Sequence, residues 1–335
     1  MSERKRLQDI HLSVLDLAPV LDGKTVADSF ENSLNLAQQV ESLGYKRFWL
    51  AEHHNMPGIA SSATSVVIGY IAGGTSSIRV GSGGIMLPNH APLVIAEQFG
   101  TLESMYPGRI DLGLGRAPGT DQLTAQALRR NTRSDGSEFP HQLAELREFL
   151  KPTSRNRVRA IPGEGLDIPI WLLGSSGFSA QLAGQLGLPF SFASHFAPDY
   201  LLPALQLYRQ SFQPSDVLDK PYAMIGVNVI AADTDEKARW LATSQSQAFL
   251  NIIRGKSGQL QPPVENMDEH WGLQEEALVQ KMLRYSVAGS PAVVKEKLEE
   301  FIDETGADEI IVNTHVYDQK ERIRSYELLA DVVKG

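Results

Sequence analysis

The sequence has no cysteine, no long apolar run and fewer basic than acidic residues. The lack of cysteine excludes disulfides, thiolate nucleophiles and cysteine-ligated metal clusters. With 31 Lys and Arg against 40 Asp and Glu, the net charge of -9 argues against a nucleic-acid partner. The basic N-terminus precedes a short stretch interrupted by Asp16 and Pro19, unlike a signal peptide, and no window has the length of a membrane helix. These absences predict a cytoplasmic protein with no membrane partner.

Short apolar runs alternate with helical periodicity along most of the 335 residues. Hydrophobic residues make up 42% of the chain, enough to bury a large core. The predicted strands are 12–17, 48–55, 78–87, 109–115, 169–173, 190–195, 223–230 and 309–315. Strands followed by helices pair in parallel with right-handed crossovers. The count of eight predicts an α/β fold, a single (β/α)8 TIM-type barrel, although periodicity alone leaves an open sheet as the alternative.

Two connections are longer than the others. A polar, helix-prone stretch at 120–150 follows the fourth strand, and a segment rich in Gly, Pro, Gln and acidic residues follows the seventh. The second insertion, at 255–275, is typical of a mobile lid. Because no linker or repeat divides the chain, residues 1–335 are expected to form one domain.

Polar residues cluster where the predicted strands end. In a parallel barrel the carboxyl ends of the strands meet at one face and form the active site. Adjacent strand residues point to opposite faces, so of His53 and His54 only one is a candidate for the site and the other is structural, unless the strand has already broken into loop before them. The strand-end residues are Asp16, Glu52, His53, His54, Gly83, Gly84, Arg116, Ser175, Ser176, His195, Asn313 and His315.

One strand end is suited to binding a phosphate. Gly174, Ser175, Ser176 and Gly177 stand between a strand and a helix, where free backbone N–H groups and the positive helix end favour an anion. Arg116 supplies a counter-charge. A tight turn with a surface arginine explains the same residues equally well. The run 113–119 has Pro118 in place of the third glycine and fails as a dinucleotide fingerprint.

Two hydrolase sites and a glycine-rich strand remain to be weighed. Two zinc ligands on one strand require His-x-His spacing, which the sequence lacks, so we expect no metal site. A glycosidase requires two inward acids, and Asp16 and Glu52 are the only ones offered.

Gly83 and Gly84 either let a flat ligand lie against bare backbone or mark a bulge or strained peptide.

Taken together, the motifs resemble the bacterial luciferase-like, flavin-dependent monooxygenases. The matching stretches are 13–20, 51–54, 84–88, 108–119 and 287–291, in the same order as in the family. The resemblance implies an eight-stranded barrel that uses reduced FMN and molecular oxygen on a small organic substrate such as an aldehyde. Since the chain offers no nicotinamide site, the flavin is expected to be reduced by a separate reductase.

The resemblance also implies roles for individual residues. The FMN phosphate would lie at Arg116 and the loop of Gly174, Ser175, Ser176 and Gly177, and the isoalloxazine over Gly83 and Gly84, which are a candidate non-prolyl cis peptide. His53 matches the first histidine of the Glu-His-His motif that is linked to catalysis, with a role in proton transfer beside the flavin. His195 would contact flavin or substrate. The helices after the second and third strands are implied as a homodimer surface.

Two departures limit what the resemblance implies. Gly115 replaces a cysteine that lies beside the flavin in the luciferases, so light emission does not follow, and the lid has no pattern from which an aldehyde substrate follows. One alternative is a deazaflavin (F420)-dependent oxidoreductase of the same superfamily, which transfers hydride without oxygen. Another is a non-catalytic flavin-binding protein. The motif at His53 argues against the latter, since storage requires no proton transfer.

Overall fold

The computed structural model describes residues 5–117, 121–128, 136–152 and 157–334. In this part of the chain, eight parallel strands close into a barrel surrounded by helices, which confirms the predicted TIM-type fold. The strands are β1 (His11–Asp16), β2 (Arg47–Leu50), β3 (Arg79–Met86), β4 (Ile110–Gly115), β5 (Ile170–Gly174), β6 (Phe190–Phe192), β7 (Ala223–Ala231), β8 (Val287–Gly289) and β9 (Glu309–Asn313). The hydrogen-bonded order of the barrel strands is β6-β5-β4-β3-β2-β1-β9-β7, and β6 pairs with β7 to close the ring.

Helices connect the strands and form the outer layer. Before β5 they are α1 (Val26–Ser42), α2 (Thr64–Gly73), α3 (Pro92–Met105), α4 (Gln122–Leu128) and α5 (Phe139–Leu150). After it they are α6 (Gly177–Gln185), α7 (Leu201–Ser211), α8 (Asp235–Ile253), α9 (Leu273–Met282), α10 (Pro291–Thr305) and α11 (Gln319–Lys334). No helix in the described ranges is long and apolar enough to cross a membrane.

The element boundaries follow local sequence signals. α1 begins after Thr25, whose hydroxyl accepts a hydrogen bond from the backbone of Asp28 at 3.2 Å, while the Asp28 carboxylate caps Thr25 in return. α10 ends at Gly306, which has a φ of 62°. All nine residues of β7 are buried. A strand that is covered on both faces has mostly apolar residues, and this pattern is why β7 was predicted from the sequence.

One strand, β8, lies outside the barrel ring and was not predicted. Val287–Gly289 pairs with the end of β7 at Val229, Ile230 and Ala231, beyond the residues of β7 that pair with β9. Two of its three residues, Ala288 and Gly289, have low strand propensity, whereas the equally short β6 has two phenylalanines and was predicted. The predicted eighth strand is therefore the ninth strand of the chain and the eighth of the barrel.

Buried charges fill the N-terminal end of the barrel. Arg47, at the start of β2, donates to Glu309 and to Asp111, each at 2.8 Å. Trp49 and Trp171 lie further along the interior, with ring centroids 5.3 Å apart in an edge-to-face arrangement. Every charge in this group has an opposite charge within hydrogen-bond distance, as burial requires. Side chains fill this end, and the cavity lined by described residues lies at the opposite end of the barrel.

The two long connections occur where they were predicted. The connection after β4 contains α4 and α5, and residues 118–120, 129–135 and 153–156 of it lie outside the described residues, including Pro118 and Gly119 of the matching motif. The connection after β7 contains α8, an irregular segment, α9, β8 and α10. In the irregular segment Leu260 forms a parallel bridge with Leu21, so the insertion is fastened to the chain just after β1.

Candidate active site

A cavity of about 400 Å³ lies at the carboxyl ends of the barrel strands. Pockets that bind small molecules measure roughly 300–1,000 Å³. Most of the wall is apolar, and Arg116 is the only permanently charged residue among the described lining residues. The predicted site residues found in the wall are His53, Gly83, Gly84, Arg116, Gly174, Ser175, Ser176 and His195.

Gly177 is the predicted site residue that does not line the cavity. It is the first residue of α6, and a Cβ atom there would lie 3.1 Å from Leu207 and 3.2 Å from Tyr200, inside the protein. Only its backbone can serve a ligand. Its N–H belongs to the first turn of α6, where amide groups have no intrahelical partner.

Gly83 and Gly84 give β3 a bare backbone surface on the cavity. The peptide bond between them is cis, as the resemblance implied. A Cβ atom on Gly83 would lie 2.8 Å from Leu15, and one on Gly84 would lie 2.8 Å from the carbonyl oxygen of Gly113. No side chain fits at either position, so a flat ring system can lie directly against the strand.

Arg116 and the start of α6 lie together at the cavity. The guanidinium of Arg116 stacks on the ring of Phe178, 4.3 Å from its centroid, and Phe178 is the second residue of α6. The stacking holds the cation beside the helix N-terminus and the Ser175 and Ser176 hydroxyls. A phosphate fits these donors. Phe178 was missed in the sequence, because a strand-end arginine does not reveal which ring it stacks on.

Glu52 organises the loop that carries the two histidines. Its buried carboxylate receives hydrogen bonds from Nε2 of His54 at 2.8 Å, Nε2 of His90 at 2.9 Å and the backbone N–H of Met86 at 2.9 Å. Burial raises the pKa of Glu52, but the hydrogen bonds from His90, His54 and Met86 outweigh it, so the pKa lies below its usual value. His54 is therefore a structural residue. His90, which follows β3 in the chain, was not predicted as part of the site.

His53 lies between these two fixed residues and lines the cavity. The chain turns just beyond it, at Asn55, which has a positive φ of 56°. β2 ends at Leu50, so the two histidines lie in the loop after the strand, and the loop directs them differently: His53 lines the cavity and His54 faces Glu52.

His195 and His315 bring two further imidazoles to the cavity wall. Burial, with added repulsion from His315 and His53, lowers the pKa of His195 to about 3. Burial and the nearby Arg322 lower the pKa of His315 to about 4. Both rings are therefore uncharged at neutral pH. His315 was noted at a strand end in the sequence, but its role was not predicted.

The carboxylates near the strand ends already form ion pairs or hydrogen bonds with other side chains. Asp16 forms a buried ion pair with Arg322, 2.8 Å between Oδ1 and Nη2, and also accepts from Ser33. Neither Asp16 nor Glu52 lines the cavity. The pair of free inward carboxylates that glycoside hydrolysis requires is not present among the described lining residues.

Three chain segments cover the cavity on one side. Leu260 donates its N–H to Val20 and accepts from Asp22, each at 2.9 Å, and Val20 in turn donates to Gly58 at 2.9 Å. Leu260, Gly58 and Gly258 all line the cavity. The insertion after β7 is therefore joined through the segment after β1 to the loop that carries His53.

Sequence comparisons assign this architecture to a family. The luciferase-like monooxygenase family model matches residues 10–309. A luciferase-like monooxygenase of Escherichia coli strain K12 is 56% identical over 96% of this chain and 97% of its own. The uncharacterized protein YvbT of Bacillus subtilis is 64% identical over the whole of both chains. N-acetyl-S-alkylcysteine monooxygenase of the same organism is 33% identical over 97% of this chain and 98% of its own.

Solved structures agree in fold. Apo-MsnO8 is similar with a TM-score of 0.86 and 35% identity, over 96% of this chain and 98% of its own. The oxygenating constituent of 3,6-diketocamphane monooxygenase from Pseudomonas putida, in complex with FMN, gives 0.74 and 18%, over 97% and 98%. An F420-dependent secondary alcohol dehydrogenase gives 0.69 and 13%, over 97% and 99%. The family model and the relatives confirm the resemblance seen in the motifs: the chain belongs to the luciferase-like monooxygenase family.

Proposed function

We propose that the protein is a monooxygenase that uses reduced FMN and molecular oxygen to oxidise a small organic substrate. The observation that carries the proposal is the presence in one cavity of an anion site, at Arg116 and the start of α6, and a bare-backbone surface at Gly83-Gly84. FMN has a phosphate at one end and a flat ring at the other. Relatives named as monooxygenases support chemistry with oxygen.

The residues of this chain have separable roles in the proposal. Reduced FMN, when bound, supplies the electrons that activate oxygen. Arg116, Gly174, Ser175, Ser176 and the backbone of Gly177 bind the phosphate, while Gly83 and Gly84 orient the ring. His53 holds or transfers a proton at its imidazole in the cavity wall. The apolar wall and the segments that cover it exclude water from the reacting groups.

The lid, the reductase and the location belong to the same proposal. The segment 255–275 covers the cavity through Ser257, Gly258 and Leu260, and we propose that it opens to exchange ligands.

One anion site in the described part of the cavity serves the FMN phosphate and leaves none for a dinucleotide. A separate reductase would therefore deliver reduced FMN. A cytoplasmic location, where such reductases have reduced nicotinamide available, stays a prediction.

We also propose that the protein is a homodimer through α2 and α3. Three apolar side chains on these adjacent helices are exposed: Val66 by 71%, Tyr70 by 45% and Val94 by 41%. Apolar side chains grouped on one surface of a monomer are typical of a contact with another chain. A twofold axis would bury the same surface on both subunits.

An F420-dependent oxidoreductase is the second candidate. The similarity in fold to an F420-dependent alcohol dehydrogenase favours it, because F420 also has a flat ring and a phosphate. In that case the enzyme would transfer hydride and would not react with oxygen. A non-catalytic flavin-binding protein is the third candidate, and the position of His53 in the wall argues against it.

Cofactor titration and oxygen reactivity distinguish the three candidates. In anaerobic titrations we expect reduced FMN to bind more tightly than reduced F420. When the protein loaded with reduced FMN is mixed with oxygenated buffer in a stopped-flow spectrophotometer, flavin absorbance should recover more slowly than with free FMN. Tight binding of F420 alone would favour hydride transfer. Tight binding of oxidised FMN, with reoxidation at the rate of free flavin, would favour storage.

A further inference from the structure

We propose that the cavity wall opposite Gly83-Gly84 binds an uncharged substrate, and that His195 donates the Nε2–H hydrogen bond to the substrate's oxygen atom. The inference rests on the proposed FMN site, which occupies the other wall. The ligand class is an uncharged organic molecule with an apolar body and one oxygen that accepts a hydrogen bond.

The strand order places these residues across the barrel from the flavin surface. β3, which carries Gly83-Gly84, and β7, which carries Gly226, are separated by β4, β5 and β6 on one side and by β2, β1 and β9 on the other. They therefore face each other across the ring. His195 follows β6, and His315 follows β9, the two neighbours of β7. A flat ligand on β3 would turn its free face toward these two histidines.

Gly226 determines which nitrogen of His195 carries the proton. A Cβ atom on Gly226 would lie only 2.3 Å from Nδ1 of His195, so the glycine α-hydrogen points at that nitrogen. A proton on Nδ1 would clash with this α-hydrogen. A lone pair on Nδ1 instead accepts the α-hydrogen in a weak C–H···N contact. Nδ1 also has no hydrogen-bond partner among the described residues. The neutral ring is therefore assigned its proton on Nε2, and His195 lines the cavity.

The adjacent strand provides a second polar group. Asn313 and His315 are two residues apart, and both line the cavity. The Nδ2 amide of Asn313 is buried and has no hydrogen-bond partner in the described part of the chain. A buried donor without a partner is costly, so a ligand oxygen here would gain from both His195 and Asn313.

The charges around the cavity exclude an ionic substrate. The described wall contains no carboxylate, and its one permanent charge, Arg116, lies on the phosphate side. His195 and His315 are uncharged at neutral pH because their pKa values are lowered to about 3 and about 4. Arg322, behind His315, is already paired with Asp16. On the wall opposite Gly83-Gly84, a carboxylate or ammonium group would lose its hydration without gaining a counter-charge, because His53, the histidine that holds a proton, follows β2, the neighbour of β3.

Apolar side chains complete the proposed site. Phe249, Ile311 and Met282 lie in the wall with the two histidines. They can contact the hydrocarbon part of a substrate while its single oxygen lies at His195. This distribution, polar at one point and apolar elsewhere, fixes the orientation of a molecule with one polar group.

The tautomer can be read directly by NMR. In protein labelled with ¹⁵N-histidine, we expect the His195 spectrum to show a proton on Nε2 and none on Nδ1, unchanged between pH 5 and pH 8. The His195→Gln variant identifies the resonance by its loss. A proton on Nδ1, or titration of this ring near pH 6.5, would overturn the proposed donor.

Ligand binding tests the substrate class. Octanamide and octanoate have the same shape and differ in charge, so calorimetric titration of both into FMN-loaded protein isolates the effect of charge. We expect octanamide to bind at least tenfold more tightly at pH 7. The His195→Phe variant should weaken octanamide binding roughly tenfold. The His195→Gln variant, which keeps an N–H donor, should recover part of it, and the His141→Ala variant on the exposed side of α5 should bind as the wild type does.

Each contrary result has a distinct meaning. Equal binding of octanoate would overturn the uncharged substrate class. Loss of FMN affinity in His195→Phe, with octanamide binding unchanged, would assign His195 to the cofactor instead. Failure of the wild-type protein to bind FMN at all, measured before either probe is added, would overturn the proposed function itself.

Discussion

Glu52 and His90 are joined by a hydrogen bond of 2.9 Å between carboxylate and Nε2, which fastens the loop after β2 to the segment after β3. His54 bonds to the same carboxylate. Because the residues on both sides of His53 are held in place, the orientation of His53 in the cavity wall is fixed by an acid that never contacts the ligand space.

Replacing Glu52 with Gln tests this arrangement. The amide keeps the size of the side chain but offers one acceptor oxygen in place of two and carries no charge, so partners are left unsatisfied. We expect the free energy of unfolding at pH 7 to fall by about 1–3 kcal/mol, measured by urea denaturation. Glu145→Gln, on the exposed side of α5, is the control and should change stability by less than about 0.5 kcal/mol.

The same variant has a pH signature. Since the pKa of Glu52 is lowered in the folded protein, its contribution to stability is present above the ordinary pKa of 4.5 and is lost as the pH falls through the lower folded value. Glu52→Gln should therefore differ most from the wild type at neutral pH and least in acid. A constant difference across this range would show that charge is not involved.

Replacing His53 with Ala should separate binding from chemistry. FMN affinity is expected to change by less than about threefold, while substrate turnover falls roughly 10²–10⁴-fold, the range for loss of a general acid or base. Fluorescence titration and oxygen consumption measure the two quantities. His54→Ala is the comparison, because His54 bonds to Glu52, and it should lower stability more than turnover. Lost flavin binding in His53→Ala would make His53 a structural residue.

Replacing Arg116 with Ala should weaken the binding of FMN and leave riboflavin almost unaffected. Riboflavin lacks the phosphate, so the ratio of the two affinities isolates the contact with the guanidinium. A hydrogen bond to a charged group contributes about 1.5–3 kcal/mol, which corresponds to a loss of FMN affinity of about 10–150-fold. If both ligands lost affinity equally, Arg116 would act on the shape of the cavity and not on the phosphate.

The buried histidines should make stability fall in mild acid. The pKa of His195 is about 3 in the folded protein against 6.5 when unfolded, so the unfolded chain binds more protons between these values. The free energy of unfolding should therefore decrease as the pH is lowered from 6.5 toward 4, by about 1.4 kcal/mol per pH unit for each such histidine. His195→Gln should reduce this slope by the contribution of one proton in denaturation curves at several pH values.

The proposed homodimer can be tested through α2. Val66→Lys should place like charges together across a twofold axis and raise the dimer dissociation constant at least tenfold in sedimentation equilibrium. Leu273→Lys replaces a leucine at the start of α9 that is more exposed than Val66, and it should leave the dimer intact. A wild-type protein that sediments as a monomer would contradict the proposed homodimer.

The sequence predicted the barrel because its strands are covered on both faces. β7 and β9 are buried throughout and mostly apolar, and the residues that follow each run show where the strand delivers polar groups. The sequence offered one of His53 and His54 for the cavity, and His53 lines it, but both residues lie in the loop after β2, where strand alternation does not apply. β8 was not predicted because two of its three residues are Ala and Gly, which have low strand propensity.

Contacts between distant parts of the chain could not be predicted. Nothing near Glu52 in the sequence indicates that His90 will form a hydrogen bond with its carboxylate. Likewise, nothing near His195 indicates that Gly226 will lie against its ring. The pairing of Leu260 with Leu21 likewise depends on how the insertion folds back. Each of these contacts follows from which strands become neighbours, and local patterns do not encode that order.

The position of β9 between β1 and β7 has a consequence for biosynthesis. The strand that completes the ring is the last to be made, so the first seven barrel strands leave the ribosome with two unpaired edges, at β1 and at β7. The same strand brings Glu309 to Arg47 at the filled end and leads to His315 at the open end. Closure of the barrel, completion of the buried ion-pair group around Arg47 and completion of the ligand pocket therefore depend on the same strand, and a nascent chain acquires all three together once β9 has been made.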